Sequence, residues 1–227
     1  MADFREIALG SGLEARVCFT DASDGDFRVL EPAPGLEQRR RAIVDLPWTW
    51  IRQVHGSTVL RVDRPGHHAG AEADGLITTA TGCPIAVTTA DCAPLVLLAE
   101  RGVGVVHAGW RGLAEGIIER AGEQLRSVAG RPVSALLGPC ISPSAYEFGP
   151  RELAQVAQRF GSTVEGRTED GQPALDVPAA VALACEQAGW PEPGRPPCTS
   201  DARWFSHRTR TDGGRQTVVA WLSDRED

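Results

Sequence analysis

Three residues able to ligate a metal or attack a substrate sit at comparable places in the sequence: His55 in "QVHG", Cys92 in "TADCAPL" and His107 in "VHAGWRGL". Each lies where an apolar, β-rich run gives way to small residues, so each side chain could stand at a strand end on one rim. Two imidazoles and a thiolate suit a borderline-soft ion such as Zn²⁺, and a three-residue set leaves the fourth position open for chemistry. The same residues admit two other readings. Cys92 could be a packed core thiol, since free cysteine behaves as a small hydrophobe. It could also be a nucleophile with His107 as its base. The spacings form no short metal-binding expression, so the residues alone leave all three open.

Other groups near these positions add possible roles. Asp74 in "ADG" and Asp91 beside Cys92 could orient a ligand histidine by hydrogen bond, or serve only a turn. Gly109 and Gly112 remove side chains at the start of a helix, where backbone N–H groups can face an anion, and Arg111 would add a forked donor. Steric relief at the helix start is the plainer explanation of the glycines. Tyr146, the only tyrosine, and Glu147 could line a pocket or simply pack. "WFSHRTRTDGGRQ" groups Arg203, Arg208, Arg210 and Arg215 around His207, a local basic cluster that fits either an anionic substrate group or a solvated hairpin tip. His67 and His68 read as an exposed loop.

The elements that must carry these residues follow from pattern. "LEARVCFTD" has strand character, "EPAPG" reads as a loop and "LEQRRRAIVDLP" as a short helix ending before Pro47. "WTWIRQVHGSTVLRVD" reads as one or two strands broken near Gly56. "CPIAVTTADCAPLVLLAE" and "GVGVVHAG" are continuously apolar, as in strands covered on both faces. "LAEGIIERAGEQLRSVAG" keeps helical spacing and stops at Gly130 and Pro132; "VSALLGPCI" is a further strand. "PRELAQVAQRFG" and "VPAAVALACEQAGW" are helices, the second with Pro178 in its first turn. The tail from "PPCTS" reads as a strand, a loop and a final strand. The expectation is one mixed α/β domain over residues 1–227, a central mixed sheet flanked by helices.

Composition narrows the classes. A 227-residue chain with 42 % hydrophobic and 23 % charged residues can build a sizeable core. A net charge of −7 argues against nucleic-acid or anionic-membrane binding. No export signal or apolar run of about 18 residues is present, so a cytoplasmic protein is expected. Six scattered cysteines without CxxC pairs then read as reduced thiols.

In order, "QVHG", "ADG", "TADCAPL", "VHAGWRGL", "GPCISPSAYEFG" and "CTSDARWFSHR…GRQ…AWL" resemble the laccase-domain family, also described as multi-copper polyphenol oxidoreductases, peptidoglycan editing factors and purine nucleoside phosphorylases. The resemblance runs from about residue 47 to 222. It implies a single α/β domain and a metal, usually zinc, on His55, Cys92 and His107. It further implies phosphorolysis of adenosine, inosine and methylthioadenosine, with adenosine deamination alongside. Purine nucleoside and phosphate are then the partners, with Cys92, His107 and Arg111 at the chemistry. Arg208, Arg215 and Tyr146 become candidates for binding substrate and phosphate. Copper enters only through the oxidoreductase label, and five histidines are too few for several coppers. Two alternatives stand beside this reading. One is a cysteine hydrolase or amidase using Cys92–His107, an arrangement similar to that of bacterial toxin deamidases. The other is a weakly active peptidoglycan-related editing factor.

The chain departs from the family's usual pattern near its start. "VCFTDASDGDFRVLEPAPG" stands where an "FS-x-R-x-GG-x-S" stretch and an "NLG-x-H-x-GD" segment are usual, and it reads as a shortened pocket wall. In the tail, His207 replaces the usual tyrosine and Thr209 the usual arginine.

Overall fold

The computed structural model describes residues 1–225 apart from residues 31 and 33. Two residues of "EPAPG" and the last two of the chain therefore lie outside the described residues. An antiparallel hairpin, β1 (Asp3–Ala8) and β2 (Leu13–Phe19), is followed by α1 (Leu36–Ile43), β3 (Thr49–Trp50) and β4 (Val59–Val62). Four strands come next: β5 (Gly75–Thr78), β6 (Ile85–Thr89), β7 (Ala93–Ala99) and β8 (Gly102–Ala108). Helices α2 (Trp110–Glu115) and α3 (Ile117–Ala129) lead to β9 (Pro132–Leu137) and α4 (Pro150–Phe160). The remainder is a small hairpin, β10 (Glu165–Arg167) and β11 (Pro173–Leu175), then α5 (Val177–Gln187), the one-turn α6 (His207–Arg210) and β12 (Gln216–Asp224).

The expected mixed α/β class is what forms, with the strands other than the β10–β11 hairpin divided between two five-stranded mixed sheets. Their orders are β1-β2-β12-β6-β3 and β4-β5-β8-β7-β9. Alternate residues of each strand face opposite layers, as the strand period of two requires. In β7, Leu95 and Leu97 pack toward the helices, while Val96 and Leu98 pack toward the first sheet. In β12, Val218, Ala220 and Leu222 face the second sheet, whereas Val219 and Trp221 face the other way, with Phe27, Leu36 and Trp48. The layers therefore run from helices through two stacked sheets to the α1 side. Each fully buried Leu, Ile or Val contributes about 1.5–3 kcal/mol, so the strands with two apolar faces anchor the fold.

Local chemistry sets the element ends. Asp176 caps α5, its carboxylate accepting from the Ala179 N–H at 2.9 Å, with Pro178 in the first turn as expected. The segment read as one helix after His107 is two, because Gly116 sits at φ 83°, a left-handed conformation that glycine adopts without penalty. The tail differs from its expected strand–loop–strand order. "PPCTS" meets its neighbours through an isolated bridge between Cys140 and Cys198, and the basic stretch winds into α6. The hairpin β10–β11 carried too weak an alternation to be read. No helix among the described residues is long and apolar enough to cross a membrane. None of the six cysteines is bridged.

Candidate metal centre

Strand pairing explains why residues so far apart in sequence meet. β7 and β8 form a hairpin in which Pro94 lies opposite His107 and Ala93 opposite Ala108. Cys92, just before β7, thus arrives beside His107 near the end of β8. β5 pairs antiparallel with β8, which sets Asp74 against His107, and the His107 N–H donates to the Asp74 carbonyl at 2.8 Å. β4 runs parallel to β5, so the turn leading into β4 carries His55 to the same rim.

The donor atoms of His55, Cys92 and His107 all lie within 4.8 Å of one another. The two imidazole rings stand edge to face at 86°, with centroids 4.8 Å apart. His107 is buried, Cys92 half-buried and His55 exposed. Burial would raise the Cys92 thiol, but His107 and His55 beside it outweigh that and pull it down toward thiolate. Burial works the other way on His107, and there Cys92 and Asp74 win, favouring the imidazolium. Thiolate and imidazolium are mutual partners, and a cation bridging them would take the place of the shared proton.

Asp74 organises this rim. Its carboxylate is fully buried and accepts from His107 Nδ1 at 2.8 Å, the His55 N–H at 2.9 Å and the Gly56 N–H at 2.8 Å. The first contact leaves His107 Nε2 free to face a metal; the others hold the His55 turn, where His55 sits at φ 59°. Burial alone would raise the carboxyl, but these donors lower it and keep it ionised. Of the two roles open to Asp91, the structure shows the local structural one. Asp91 touches neither ligand histidine; its carboxylate accepts from Thr199 Oγ1 at 2.6 Å, Ser206 Oγ at 2.7 Å and the Arg208 N–H at 2.7 Å. It thereby anchors α6, and these three bonds secure its own unfavourable φ of 91°.

The donor set fits a borderline-soft divalent ion, and the backbone leaves space for one. A Cβ built on Gly109 would stand 2.9 Å from His55 Cδ2 and 3.6 Å from Cys92 Sγ, so only glycine keeps this side of the cluster open. Gly112 serves close approach: its Cβ would meet the Gly56 carbonyl oxygen at 2.8 Å. Gly112→Ala is therefore expected to push the His55 turn away from α2, lowering stability by about 1–3 kcal/mol, as overpacking does. Thermal unfolding measures that cost, and a metal titration of the same variant reads whether His55 has moved.

The triad opens into a cavity of about 450 Å³. Tyr146, His207, Arg208 and Arg215 line it on the α6 side, with the Arg208 guanidinium 4.8 Å above the Tyr146 ring. Gln53, Thr88 and Thr89 come from the first sheet and its edge. Arg28, Val29 and Leu30, from the stretch read as a shortened wall, line the cavity, and Arg28 was missed because no motif marks it. Arg111 does not reach the cavity. It is exposed and stacks 4.6 Å above the Trp110 ring. Glu147 is exposed and stands outside the cavity lining. Arg203 binds Asp21, and Arg210 donates to the Thr199 and Ser200 carbonyls, so both brace the tail. His67 and His68 stack on each other in a turn, as a loop reading implies.

Residues 26–223 match the family described as multi-copper polyphenol oxidoreductase laccase. A purine nucleoside phosphorylase of Xylella fastidiosa (strain Temecula1) is 39 % identical over 186 residues, covering 76 % of this chain and 71 % of the relative. One from Deinococcus radiodurans is 36 % identical over 220 residues, covering 88 % and 82 %. The crystal structure of Bacillus licheniformis hypothetical protein YfiH superposes with a TM-score of 0.80 at 20 % identity, over 97 % of this chain and 99 % of that one, a likeness of fold. The chain belongs to the multi-copper polyphenol oxidoreductase laccase family.

Proposed function

We propose that this family member is a zinc-dependent purine nucleoside phosphorylase, working as one catalytic domain, that cleaves adenosine, inosine and methylthioadenosine and also deaminates adenosine. The observation that carries the reading is the placement of a His–Cys–His donor cluster in the same cavity as Tyr146, Arg28, Arg208 and Arg215. The name shared by the Xylella and Deinococcus relatives, purine nucleoside phosphorylase, supports the reaction class. Zinc is favoured over copper because two imidazoles and one thiolate suit a single borderline ion, and five histidines cannot surround several coppers.

His55, Cys92 and His107 would hold the ion, which supplies Lewis-acid polarisation when bound. Asp74 retains the proton on His107 Nδ1 and so fixes which ring nitrogen faces the centre. The cavity arginines bind phosphate and hold one of its oxygens toward the sugar. In phosphorolysis that oxygen bonds to C1′ as the C1′–N9 bond breaks, and the electron pair passes to the departing purine, which takes a proton from solvent to leave as the free base. The sugar carbon becomes cationic on the way, so the phosphate dianion that the arginines position also stabilises it. Tyr146, held under Arg208, offers an aromatic face for the base. Deamination replaces the C6 amino group of adenosine by the oxygen of water, with ammonia leaving.

A panel of adenosine, inosine and methylthioadenosine, with and without phosphate, tests this on metal-loaded protein. Free base and a sugar 1-phosphate are expected only with phosphate; no base from any nucleoside would overturn it. One observation favours a second reading. Cys92, His107 and Asp74 also form a thiol–imidazole–carboxylate line of the kind that activates a nucleophile. A cysteine hydrolase would keep its activity in chelator and be stopped by alkylation of Cys92, whereas the phosphorylase is stopped by chelator.

A further inference from the structure

The six cysteines divide by environment. Burial raises the thiols of Cys83 and Cys140 and pushes those of Cys18 and Cys185 up to about 12. Cys92 and Cys198 run the other way, and the metal centre accounts for Cys92 alone. Cys198 is half-buried, and its sulfur accepts from two serines. Ser142 gives its N–H at 3.2 Å and its hydroxyl at 3.0 Å; Ser200 gives its N–H at 3.4 Å and its hydroxyl at 3.1 Å. The Ser142 hydroxyl has one proton to give, so the Ser144 hydroxyl, 2.8 Å away, donates to Ser142 in turn. A neutral thiol is a weak acceptor, whereas four converging donors suit a thiolate. Burial would raise Cys198, but these donors outweigh it and bring the group down.

A second cysteine stands opposite. The Cys140 N–H donates to the Pro197 carbonyl and the Thr199 N–H to the Cys140 carbonyl, both at 3.2 Å. Cys140 and Cys198 therefore face each other across a parallel bridge. Neighbouring strands lie about 4.8 Å apart, within the Cα separation of about 4.4–6.8 Å that a disulfide spans. After burial, Cys198 is the largest influence raising Cys140, as sulfurs placed side by side require. Cys140 is 1 % exposed, so an oxidant from solvent meets Cys198 first. The bridge also has a defined place in the fold. It joins the two ends of residues 141–197, the segment that holds α4, the β10–β11 hairpin and α5. The residue after each cysteine binds Asp91: the Ile141 N–H donates to its carbonyl at 2.9 Å, and the Thr199 hydroxyl to its carboxylate at 2.6 Å.

We propose that Cys198 and Cys140 form a reversible disulfide latch at the base of this segment, Cys198 attacking hydrogen peroxide and Cys140 resolving the product. The Cys198 sulfur takes one peroxide oxygen as the O–O bond breaks, and the other oxygen leaves as water, giving a sulfenic acid. The Cys140 sulfur then bonds to the Cys198 sulfur, loses its proton, and the sulfenic hydroxyl leaves as a second water. Two thiols are oxidised by two electrons, and one peroxide is reduced to two waters. Exchange with a small dithiol reverses the bond.

The test treats metal-loaded protein, in which Cys92 is covered, with a small excess of hydrogen peroxide and maps its peptides by mass spectrometry without reduction. The expected product links the Cys140 and Cys198 peptides, two hydrogens lighter than the free pair, and dithiothreitol separates them. Cys140→Ala should stop at a sulfenic acid on Cys198 that a 1,3-diketone traps, whereas Cys198→Ser should leave Cys140 a free thiol. Closing residues 140–198 removes freedom from the unfolded chain, so the oxidised wild type should melt about 5–10 °C above the reduced form. Neither variant should show that rise. Both thiols still free while other cysteines are oxidised would overturn the latch. So would a Cys198 sulfenic acid that persists in the wild type, a sulfenic acid on Cys140 in Cys198→Ser, or a linked protein whose midpoint does not rise.

Discussion

Replacing His55 with alanine is expected to strip the metal from the protein and cut phosphate-dependent base release by about 10³-fold or more. Lewis-acid assistance amounts to several kcal/mol, and each ~1.4 kcal/mol is tenfold in rate. The fold should survive, because the His55 side chain is exposed and the turn is held by backbone N–H bonds to Asp74 that alanine retains. Its φ of 59° costs alanine somewhat more than histidine, so a small fall in thermal midpoint accompanies the change. His55 discriminates between the two chemistries better than Cys92 does. Cys92→Ala silences a metal enzyme and a thiol enzyme alike. His55 is dispensable to a thiol enzyme, since His107 and Asp74 complete that line without it. Metal content by elemental analysis and base release from inosine are the two measurements. A His55→Ala protein that retains full turnover would remove the metal from the reaction.

The extent to which this site could be read in the sequence follows from what each residue type leaves behind. His55, Cys92 and His107 were legible as candidates because ligand-competent residues at the ends of apolar runs are conspicuous, and the ordered motifs then joined them. Their grouping agrees with the geometry. Asp74 and Asp91 looked alike, each a short acid next to a turn, and only tertiary contacts separate the one that binds His107 from the one that binds α6. Arg28 lies in a turn-rich stretch without periodicity, so nothing local announces that it lines the cavity. Arg111 misled for the opposite reason: it follows the His107 motif closely, but at the start of α2 its side chain leaves along the Trp110 ring. The division into two sheets was hidden by the very feature that identified the strands. β6 and β7 are apolar on both faces, so their pattern says that they are covered without saying by which layer, and they pair in different sheets. Turn chemistry was partly visible: a glycine inside a helical pattern is tolerable in principle, and Gly116, at φ 83°, is where that pattern breaks into two helices.

Asp74→Asn and Asp91→Asn are expected to fail in different ways, although both remove one buried negative charge near the same cavity. At position 74 the amide keeps one oxygen acceptor but turns an NH₂ toward groups that are all donors: His107 Nδ1–H and the N–H groups of His55 and Gly56. At least one buried donor is left unsatisfied and charge assistance is lost, which costs about 1–3 kcal/mol of stability per orphaned group. The ring of His107 also loses the partner that fixes its tautomer and orientation. Removing such a support typically weakens metal binding about 10- to 100-fold, so the zinc dissociation constant should rise by that factor. Turnover at limiting metal should fall with it and recover in part when excess zinc is supplied. At position 91 Oδ1 serves Thr199 and Ser206 while Oδ2 serves the Arg208 N–H, so an amide that keeps the first oxygen turns its NH₂ toward the Arg208 N–H; the loosened element is then α6 and the displaced side chain is Arg208 above Tyr146. Zinc affinity should then stay near wild type while the KM for nucleoside and phosphate rises, and added zinc should restore nothing. The pair is informative because general destabilisation would move both readouts together in both variants. Zinc rescue confined to Asp74→Asn, with a KM defect confined to Asp91→Asn, requires the separate supporting roles that the hydrogen bonds assign. An Asp91→Asn protein with impaired zinc binding would instead place Asp91 behind the metal, against the geometry at this rim.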